Sequence, residues 1–373
     1  MDFDLDGDLE AARELASEIF ADLATLDRVV EAEKDQGGFD RTLWKALADA
    51  GLLGIALPEQ AGGAGLGMLG LVTVLEQQGR RVAPVPLWPV AVAALTIARF
   101  GTADQVSAWL PGILDGSAPV TFALEESTGD AGLAATRTPA GLSLTGDLLS
   151  VPAAREAAAV LVPARLDGTT VMAIVPTGGA GLATTELAAT SRESRASVRC
   201  AGVTVAGANV LPSDGEEVLS WSRRRARVAL AALQTGVCEQ ALQVTARYTS
   251  QREQFGRPLS TNQAVAVRAA DAYLDTEAIR LTTRRAAWLM DSGQEDAAEA
   301  AALVAKWWAS RAGLRAVHAT QHLHGGIGAD VDYPVHRYFL WGRQIAFSLG
   351  AADATAAALG DRLDQAPPIG APS

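Results

Sequence analysis

The spacing of apolar residues divides the chain into segments of different type. From Leu9 to about Ala118, apolar residues recur every three or four positions, as in LEAARELASEIFADLATL and FDRTLWKALADAGLLG. This spacing puts apolar side chains on one face of a helix and therefore predicts helices. Asp40 is a candidate N-cap for one of them, and Gly51 is a candidate stop.

The pattern then changes twice. From Val120 to about Leu211, short runs rich in β-branched residues, such as TVMAIVPT and ASVRCAGVTV, alternate with Gly, Pro and Asp. Such runs predict antiparallel strands joined by turns. From Glu216 to about Gln365 the helical spacing returns in four long segments, each with an apolar stripe wide enough for a bundle.

These patterns predict an α+β protein of three domains. An N-terminal α-helical domain covers residues 1–118, a middle β domain covers 119–212, and a C-terminal helical bundle covers 213–365. A disordered tail is expected at 366–373. Joints between such domains leave clefts in which cofactors commonly bind.

Composition restricts the class of protein. The chain has 373 residues, of which 49% are hydrophobic and 20% charged, with a net charge of -12. This charge argues against nucleic acid or an anionic membrane as the main partner, and the triplet Arg223, Arg224 and Arg225 is too short to change that. The acidic start MDFDLDGDLE has no signal-peptide features, and VPLWPVAVAALTIA is interrupted by Pro89, so a cytoplasmic protein is expected.

Several familiar motifs carry little weight in this sequence. GLGMLG at 65–70 matches a dinucleotide fingerprint in letters, but its surroundings are helical, which favours an interhelical turn. Cys200 and Cys238 fit small buried apolar residues. His318, His322 and His324 could share a helix face, but no cysteine or well-placed carboxylate completes a metal shell, so we predict no metal site.

Two stretches suit a nucleotide. In REQFGRPLSTNQ, a helix carrying Arg252 is expected to end at Gly256, and the next helix to begin at Gln263. Such a loop offers a guanidinium, the aromatic face of Phe255 and an amide to a diphosphate and an adenine, although a capped interhelical turn is the plain alternative. In HLHGGIG, Gly325 and Gly326 would let backbone N–H groups approach an anion or a ribose.

Together these motifs resemble the C-terminal domain of the acyl-CoA dehydrogenases. The resemblance is carried by R-x-x-F-G-x-P followed by a glutamine, by G-G-x-G about sixty residues later, and by Y-P-V. It extends over nearly the whole chain, since LWKALADAGLLGIALPEQAGGAGLG is similar to the family's N-terminal domain. FALEESTGD resembles an altered copy of the family's strand motif A-L-T-E-P-x-x-G-S-D.

The resemblance implies a fold and a reaction. The fold would be an α-helical domain, a β barrel and a four-helix bundle. The reaction would be oxidation of an acyl-CoA thioester to the 2,3-enoyl-CoA, in which a glutamate removes the α-proton, FAD accepts the β-hydride, and an electron-transfer flavoprotein accepts the electrons. In this family each FAD lies across a subunit interface, with the adenosine end held by the neighbouring bundle.

The residues implied for the adenosine end of FAD are present in this sequence. Arg252 matches the arginine at the diphosphate, Phe255 the phenylalanine beside it and Gln263 the glutamine after the loop. Gly325 and Gly326 match the paired glycines. His322 stands in place of a glutamine and can still donate one hydrogen bond.

The residues implied for the flavin ring and the base are absent. The flavin-packing W-I-T reads Ser150, Val151 and Pro152, and the E-P pair of the other flavin strand reads Glu126 and Ser127. Proline removes a backbone donor and serine removes an aromatic wall. Leu349 and Ala226 occupy the two positions from which the family takes its catalytic glutamate, and Asp353 would reach the α-carbon poorly from one turn away.

These departures resemble the β subunits of two-chain, α2β2 members of bacterial cholesterol side-chain degradation, with HGGIGADVDYPVHRYFLWGRQIAFSLG as the matching stretch. The resemblance implies no catalytic residue in this chain, an FAD shared with a homologous chain that carries the glutamate, and a steroid CoA thioester such as 3-oxocholest-4-en-26-oyl-CoA as substrate. Two alternatives stay open: a homomeric flavoenzyme with an unusual base, and a structural or regulatory paralogue without flavin.

Overall fold

The computed structural model describes residues 6–125 and 132–364, and the N-terminal part of this range is helical, which confirms the prediction from periodicity. The predicted tail at 366–373 lies outside the described residues. The helices of this part are α1 (Gly7–Leu23), α2 (Leu26–Asp35), α3 (Arg41–Asp49), α4 (Gly67–Arg81), α5 (Leu87–Phe100) and α6 (Ala103–Leu114).

The bounds of α3 follow from the two residues that the sequence indicated. The Asp40 carboxylate accepts hydrogen bonds from the backbone N–H of Thr42 at 3.0 Å and of Leu43 at 2.9 Å. Arg28 donates to both oxygens of the same carboxylate at 3.1 Å. After the helix, Gly51 adopts a left-handed φ of 72°, which a residue with a Cβ rarely adopts.

The middle segment forms one curled sheet. The strands run in the order β1-β4-β2-β3-β7-β6, and β5 pairs with β4 on the side of this path. Their bounds are β1 (Val120–Phe122), β2 (Leu133–Thr138), β3 (Gly141–Pro152), β4 (Ala159–Leu166), β5 (Thr169–Pro176), β6 (Leu182–Glu186) and β7 (Arg195–Ala206).

The sheet is mixed, whereas the sequence predicted antiparallel strands. Strands that follow each other directly in the chain are antiparallel where they pair, namely β2 with β3, β4 with β5 and β6 with β7. Strand β4 is parallel to both β1 and β2, which are not its direct neighbours in sequence. The turn residues that mark hairpins carry no information on such pairings, and this is why the sequence missed them.

The two cysteines pack as apolar residues, as the sequence suggested. Cys200 lies in the core of the sheet, 3% exposed, with Val198 and Val203 of the same strand. Cys238 is fully buried among the helices. Burial disfavours the thiolate and raises the pKa of Cys200 to about 11 and that of Cys238 to about 12. Neither thiol is therefore a nucleophile at neutral pH.

The C-terminal segment is helical, with one more interruption than predicted. Its helices are α7 (Gly215–Gln251), α8 (Gln263–Asp291), α9 (Glu295–His324), α10 (Val335–Phe347) and α11 (Ala352–Asp364). The fourth predicted segment is two helices, because Leu349 with φ 54° and Gly350 with φ 100° break the helical path between α10 and α11.

Packing groups the chain into two compact units. Among the described residues, the first unit lies within Leu5–Val74 and Ala83–Ala226, and the second lies within Leu75–Val82 and Arg227–Ser373. The boundaries predicted at residues 118 and 212 stay a prediction. Within the described residues, no helix is both long enough and apolar enough to cross a membrane.

The second unit depends on close approach of α4 to α7. A Cβ atom on Gly79 would stand 2.2 Å from the carbonyl oxygen of Leu233, and one on Gly236 would stand 2.0 Å from that of Glu76. Real Cβ atoms do not come this near to backbone oxygen, so glycine is required on both helices. By contrast, a Cβ atom on Gly360 in α11 would meet nothing within 4 Å.

We expect Gly236→Ala to lower the free energy of unfolding by about 1–3 kcal/mol, because the added methyl forces α4 and α7 apart. Gly360→Ala is the matched control and should keep or raise stability, since alanine favours helix over glycine. Urea unfolding of both variants measures the difference. Equal stability of the two variants would contradict the close contact.

Candidate cofactor site in the helical bundle

A short hairpin presents two of the predicted residues. Helix α7 ends at Gln251, so Arg252 follows the helix, whereas the sequence had placed it inside. Strand β8 (Glu253–Gln254) pairs with β9 (Arg257–Pro258), and the loop between them consists of Phe255 and Gly256. Arg252 closes the base of the hairpin, because its carbonyl accepts from Leu259 N at 2.9 Å.

Phe255 stands at the tip of this hairpin. Both loop residues have positive φ, 55° for Phe255 and 75° for Gly256, as a type I′ turn requires. A phenylalanine in this conformation is strained, and its side chain is fully exposed at 101%. A large apolar ring held in water on a strained turn is typical of a residue that meets a ligand or another protein.

The last predicted residue of the loop begins α8. Asn262 caps this helix through a hydrogen bond from Ala264 N to its side chain at 3.0 Å, and Gln263 is the exposed first residue. The start of a helix carries a partial positive charge and free N–H groups, which favour a phosphate.

The end of α9 carries the other predicted residues. His322 is exposed in the last turn, and Gly325 ends the helix with φ 64°. A Cβ on Gly325 or on Gly326 would meet nothing within 4 Å. Packing inside the chain therefore does not explain Gly326, and its backbone is open to close approach by a ligand.

An aromatic cluster joins the ends of α7 and α9. The Tyr248 ring stacks on His324 with a centroid distance of 4.6 Å, and its hydroxyl donates to the His324 carbonyl at 3.3 Å. Tyr333, just before α10, lies 5.3 Å from His324. Since Tyr248 precedes Arg252 by one helical turn and His324 directly precedes Gly325, the cluster brings the two motifs to the same end of the bundle.

A cavity of about 780 Å³ lies between α8, α9 and the residues that follow α10. Its volume is in the range of small-molecule sites. Among the residues that line it, His322 is one that the sequence had predicted for the cofactor, and His318 is one that it had considered only for a metal. The sequence missed Arg268 and Arg311, which also line the cavity. Arg315 also lines it, in a bidentate ion pair with the buried Asp275.

Two histidines near the end of α9, His318 and His324, pack against neighbouring groups of the chain. Within the described residues, no group of three histidine, cysteine or acidic residues is arranged to hold a metal. The buried His324 ring has Nδ1 2.8 Å from the Thr320 carbonyl, and its Nε2 atom has no partner among the described residues. His318 packs edge-on against Phe339 at 4.7 Å.

Both positions of the expected base hold apolar, buried side chains. Ala226 is fully buried in α7, and Leu349 is 8% exposed in the break between α10 and α11. Asp353, the substitute considered from the sequence, is exposed in the first turn of α11 and lines the cavity. Leucine and alanine cannot take up a proton, so neither position supplies a general base.

Lys306 holds the break in which Leu349 lies. Its side chain is fully buried, and the ammonium donates to the carbonyls of Gly350 at 2.9 Å and Ala346 at 3.3 Å. It also donates to Ser310 Oγ at 2.5 Å. These bonds satisfy carbonyls at the end of α10, where a positive charge is favoured. Lys306 therefore fixes the backbone of the loop in which the base is expected, although this loop carries leucine at that position.

Within the described residues, the part of β3 predicted to pack on a flavin ring offers it neither an aromatic side chain nor a backbone donor at Pro152. Ser150 ends up in the left-handed region with φ 55°, next to a register shift in β3, and Val151 and Pro152 are buried. Proline has no N–H to offer a ring nitrogen. Glu126 and Ser127, the altered E-P pair, lie outside the described residues. The residues present fit the adenosine and diphosphate of FAD but not its flavin ring.

The exposed face of α8 is apolar at intervals of seven residues. Val267, Leu274, Leu281 and Trp288 are exposed by 51%, 65%, 44% and 38%. This spacing places them in one stripe along the helix, which is typical of a surface that packs against another helix.

Comparison with known proteins agrees with this architecture. The sequence profile of the acyl-CoA dehydrogenase N-terminal domain matches residues 7–117, and that of the C-terminal domain matches residues 213–363. Acyl-CoA dehydrogenase FadE27 of Mycobacterium tuberculosis is 37% identical over 368 residues, covering 96% of this chain and 98% of its own.

Two solved structures are also similar. A chain of a variant of the steroid ACAD Tcur3481-Tcur3483 is 47% identical with a TM-score of 0.89, covering 96% of this chain and 98% of its own. A chain of the ChsE4-ChsE5 complex from Mycobacterium tuberculosis is 37% identical with a TM-score of 0.94, covering 98% of this chain and all of its own, 100%. The fold is that of the acyl-CoA dehydrogenases. The chain belongs to the acyl-CoA dehydrogenase family.

The burial of His324 predicts a pH dependence of stability. Desolvation lowers the pKa of His324 below its usual value, so the unfolded chain binds this proton more readily than the folded chain. The stabilisation is therefore present above about pH 6.5, the usual pKa of histidine, and is lost as the pH falls toward the lower pKa of the folded state.

We expect the free energy of unfolding of the wild type to fall between pH 7.5 and 5.5 more steeply than that of His324→Phe, which keeps a ring against Tyr248 but cannot titrate. Val331→Phe is the control, because it adds the same ring at an exposed residue that cannot titrate, and it should keep the wild-type slope. Urea unfolding at several pH values gives both slopes. Identical slopes for all three proteins would show that His324 is not protonated on unfolding in this range.

Proposed function

We propose that this chain is the non-catalytic subunit of a two-chain acyl-CoA dehydrogenase. It contributes the adenosine half of an FAD site, and a homologous partner chain supplies the glutamate base and the flavin cradle. The observation that carries the proposal is a contrast between two parts of the second unit. Phe255 is fully exposed on a strained turn, as a residue that meets a cofactor would be. Leu349, at the position expected for the base, is buried and has no group that can titrate.

The residues at the end of the bundle have the chemistry that an adenosine diphosphate needs. Arg252 offers a guanidinium fork to the diphosphate, and Phe255 offers an aromatic face to the adenine. Gln263 lies at the positive start of α8, and His322 can donate a hydrogen bond. Gly325 and Gly326 leave their backbone accessible. FAD, when bound, supplies the acceptor for the substrate hydride.

The partner in this proposal is a related chain in an α2β2 assembly. The apolar stripe on α8 supports a protein partner, because exposed residues of this size are costly to leave in water. The likeness to chains of the ChsE4-ChsE5 complex and of the Tcur3481-Tcur3483 steroid ACAD supports a heteromeric arrangement.

The same likeness supports a steroid CoA thioester as substrate, with 3-oxocholest-4-en-26-oyl-CoA as the proposed compound and an electron-transfer flavoprotein as acceptor. The reaction is α,β-dehydrogenation. In it, this chain binds and orients the cofactor, while proton removal takes place on the partner, because neither Leu349 nor Ala226 can accept a proton.

The direct test is the amount of FAD per chain, measured by flavin absorbance after denaturation. We expect no FAD on this chain purified alone and one FAD per two chains when it is purified with a glutamate-bearing homologue encoded beside it. One FAD per chain in the lone protein would overturn the proposal and favour a homomeric enzyme. No FAD in the complex would favour a structural or regulatory protein.

In the complex, Arg252→Ala should weaken FAD binding by roughly 10-fold to 100-fold, as expected for loss of a hydrogen bond to a charged group. Arg257→Ala is the matched control, because Arg257 is also exposed and belongs to the same hairpin. FAD release on dilution, followed by flavin fluorescence, measures the difference. The assignment of Arg252 fails if both variants release FAD at the wild-type rate.

A further inference from the structure

Arg195 is a buried arginine in the β domain that the proposed reaction does not use. It is the first residue of β7, and its side chain is 4% exposed. Removing a guanidinium from water is costly unless hydrogen bonds and an opposite charge compensate. The hydrogen bonds and the acidic neighbour of Arg195 therefore show which parts of the β domain this side chain stabilises.

These contacts reach the end of β3. The Arg195 guanidinium donates through one nitrogen to the carbonyl and to the hydroxyl of Ser150, both at 3.0 Å. Ser150 adopts φ 55° beside the register shift between Leu148 and Val151. A left-handed serine is strained and persists only where surrounding groups fix it. Arg195 binds both oxygens of this residue and thereby fixes it.

The same guanidinium also reaches the segment after β1. The Glu125 carboxylate lies 3.8 Å from the nitrogen that bonds to Ser150. A second link joins the same two segments, because Thr121 Oγ1 donates to the Pro152 carbonyl at 2.7 Å. Arg195 thus connects β7 with β3 and with the segment that follows β1, at a point where the ends of β1 and β3 meet.

Little room is left at this point. A cavity lined by Pro152, Arg195 and Trp88, among others, has a volume of only about 10 Å³. This is about the space of one water molecule. Pro152 offers no N–H, and the carbonyl and hydroxyl of Ser150 already accept from Arg195.

We propose that Arg195 is a built-in replacement for a flavin ring: it ties Ser150 to Glu125 across the place where the resemblance puts the ring, and so closes the β domain of this chain to a flavin. This inference rests on the proposed function, since it concerns the flavin cradle that this chain does not supply. It assigns a cofactor-excluding role to a residue outside every motif of the sequence.

The experiment compares two variants of the full chain purified alone. Pro152→Thr restores a backbone donor but keeps Arg195, whereas Pro152→Thr with Arg195→Thr restores the donor and removes the guanidinium. The probe is FMN, which carries the ring without adenosine, so that the hairpin at Phe255 does not contribute. Binding is followed by quenching of FMN fluorescence and by the shift of the thermal midpoint that FMN causes.

We expect the double variant to bind FMN at least roughly tenfold more tightly than Pro152→Thr, equivalent to about 1.4 kcal/mol, and FMN to raise the thermal midpoint of the double variant only. Equal binding by the two variants, or binding by neither, would overturn the role of Arg195. If the double variant does not fold, Pro152→Thr with Arg195→Met replaces it, since methionine fills much of the same buried space but has no group that donates to Ser150.

The outcome is distinguishable from failure of the proposed function. A wild-type chain that already carries FAD when purified alone would remove the proposed function itself. A flavin-free wild type together with two variants that bind FMN equally would remove only the inference about Arg195. Arg155→Met serves as the control for general effects, because Arg155 pairs with Glu186 on the surface of the same domain.

Discussion

The candidate site depends on the contact between Tyr248 and His324. The candidate site residues come from two places about seventy positions apart in sequence, one around the end of α7 and the start of α8 and the other around the end of α9. Stacking of the two rings, with the hydrogen bond from the Tyr248 hydroxyl to the His324 carbonyl, fixes the ends of α7 and α9 beside each other. The contact therefore places Arg252, one turn after Tyr248, at the same end of the bundle as Gly325, which directly follows His324.

The sequence was sufficient for those features that have a local cause. Asp40 caps α3 and Gln263 begins α8 because side chains and backbone within a few residues decide such bounds. Parallel pairing of β1 with β4 depends on strands far apart in the chain, and the turn residues gave no sign of it. The break between α10 and α11 was missed for a similar reason: Lys306, about forty residues earlier, stabilises its carbonyls.

The candidate site shows the same division. The motifs alone were enough to select Arg252, Phe255 and Gly325 as site residues. They did not predict that Phe255 is fully exposed or that its backbone is left-handed. Arg268, Arg311 and Tyr248 belong to no motif and were missed, because what brings them near the site is helix packing. Arg195 was missed too, since a single arginine at the start of a strand resembles an ordinary surface residue until its burial is known.

The loop at Leu349 has a fixed backbone although the residue at the position of the base cannot react. Lys306 binds the backbone there through two hydrogen bonds, to the carbonyls of Ala346 and Gly350, and the residue that would act as base has no group that can titrate. These bonds join α9 to the break between α10 and α11, so the loop keeps its position against α9 without a base at Leu349.

The exposed Phe255 also bears on the relative amounts in which the two proposed chains are made. A folded chain on its own keeps this ring and the α8 stripe in water, and burying one such side chain is worth about 1.5–3 kcal/mol. In the proposed two-chain assembly, that free energy is gained only when the partner covers these side chains, so an excess of this chain would keep an adhesive apolar surface. Under the proposed function, this surface therefore favours synthesis of the two chains in equal amounts.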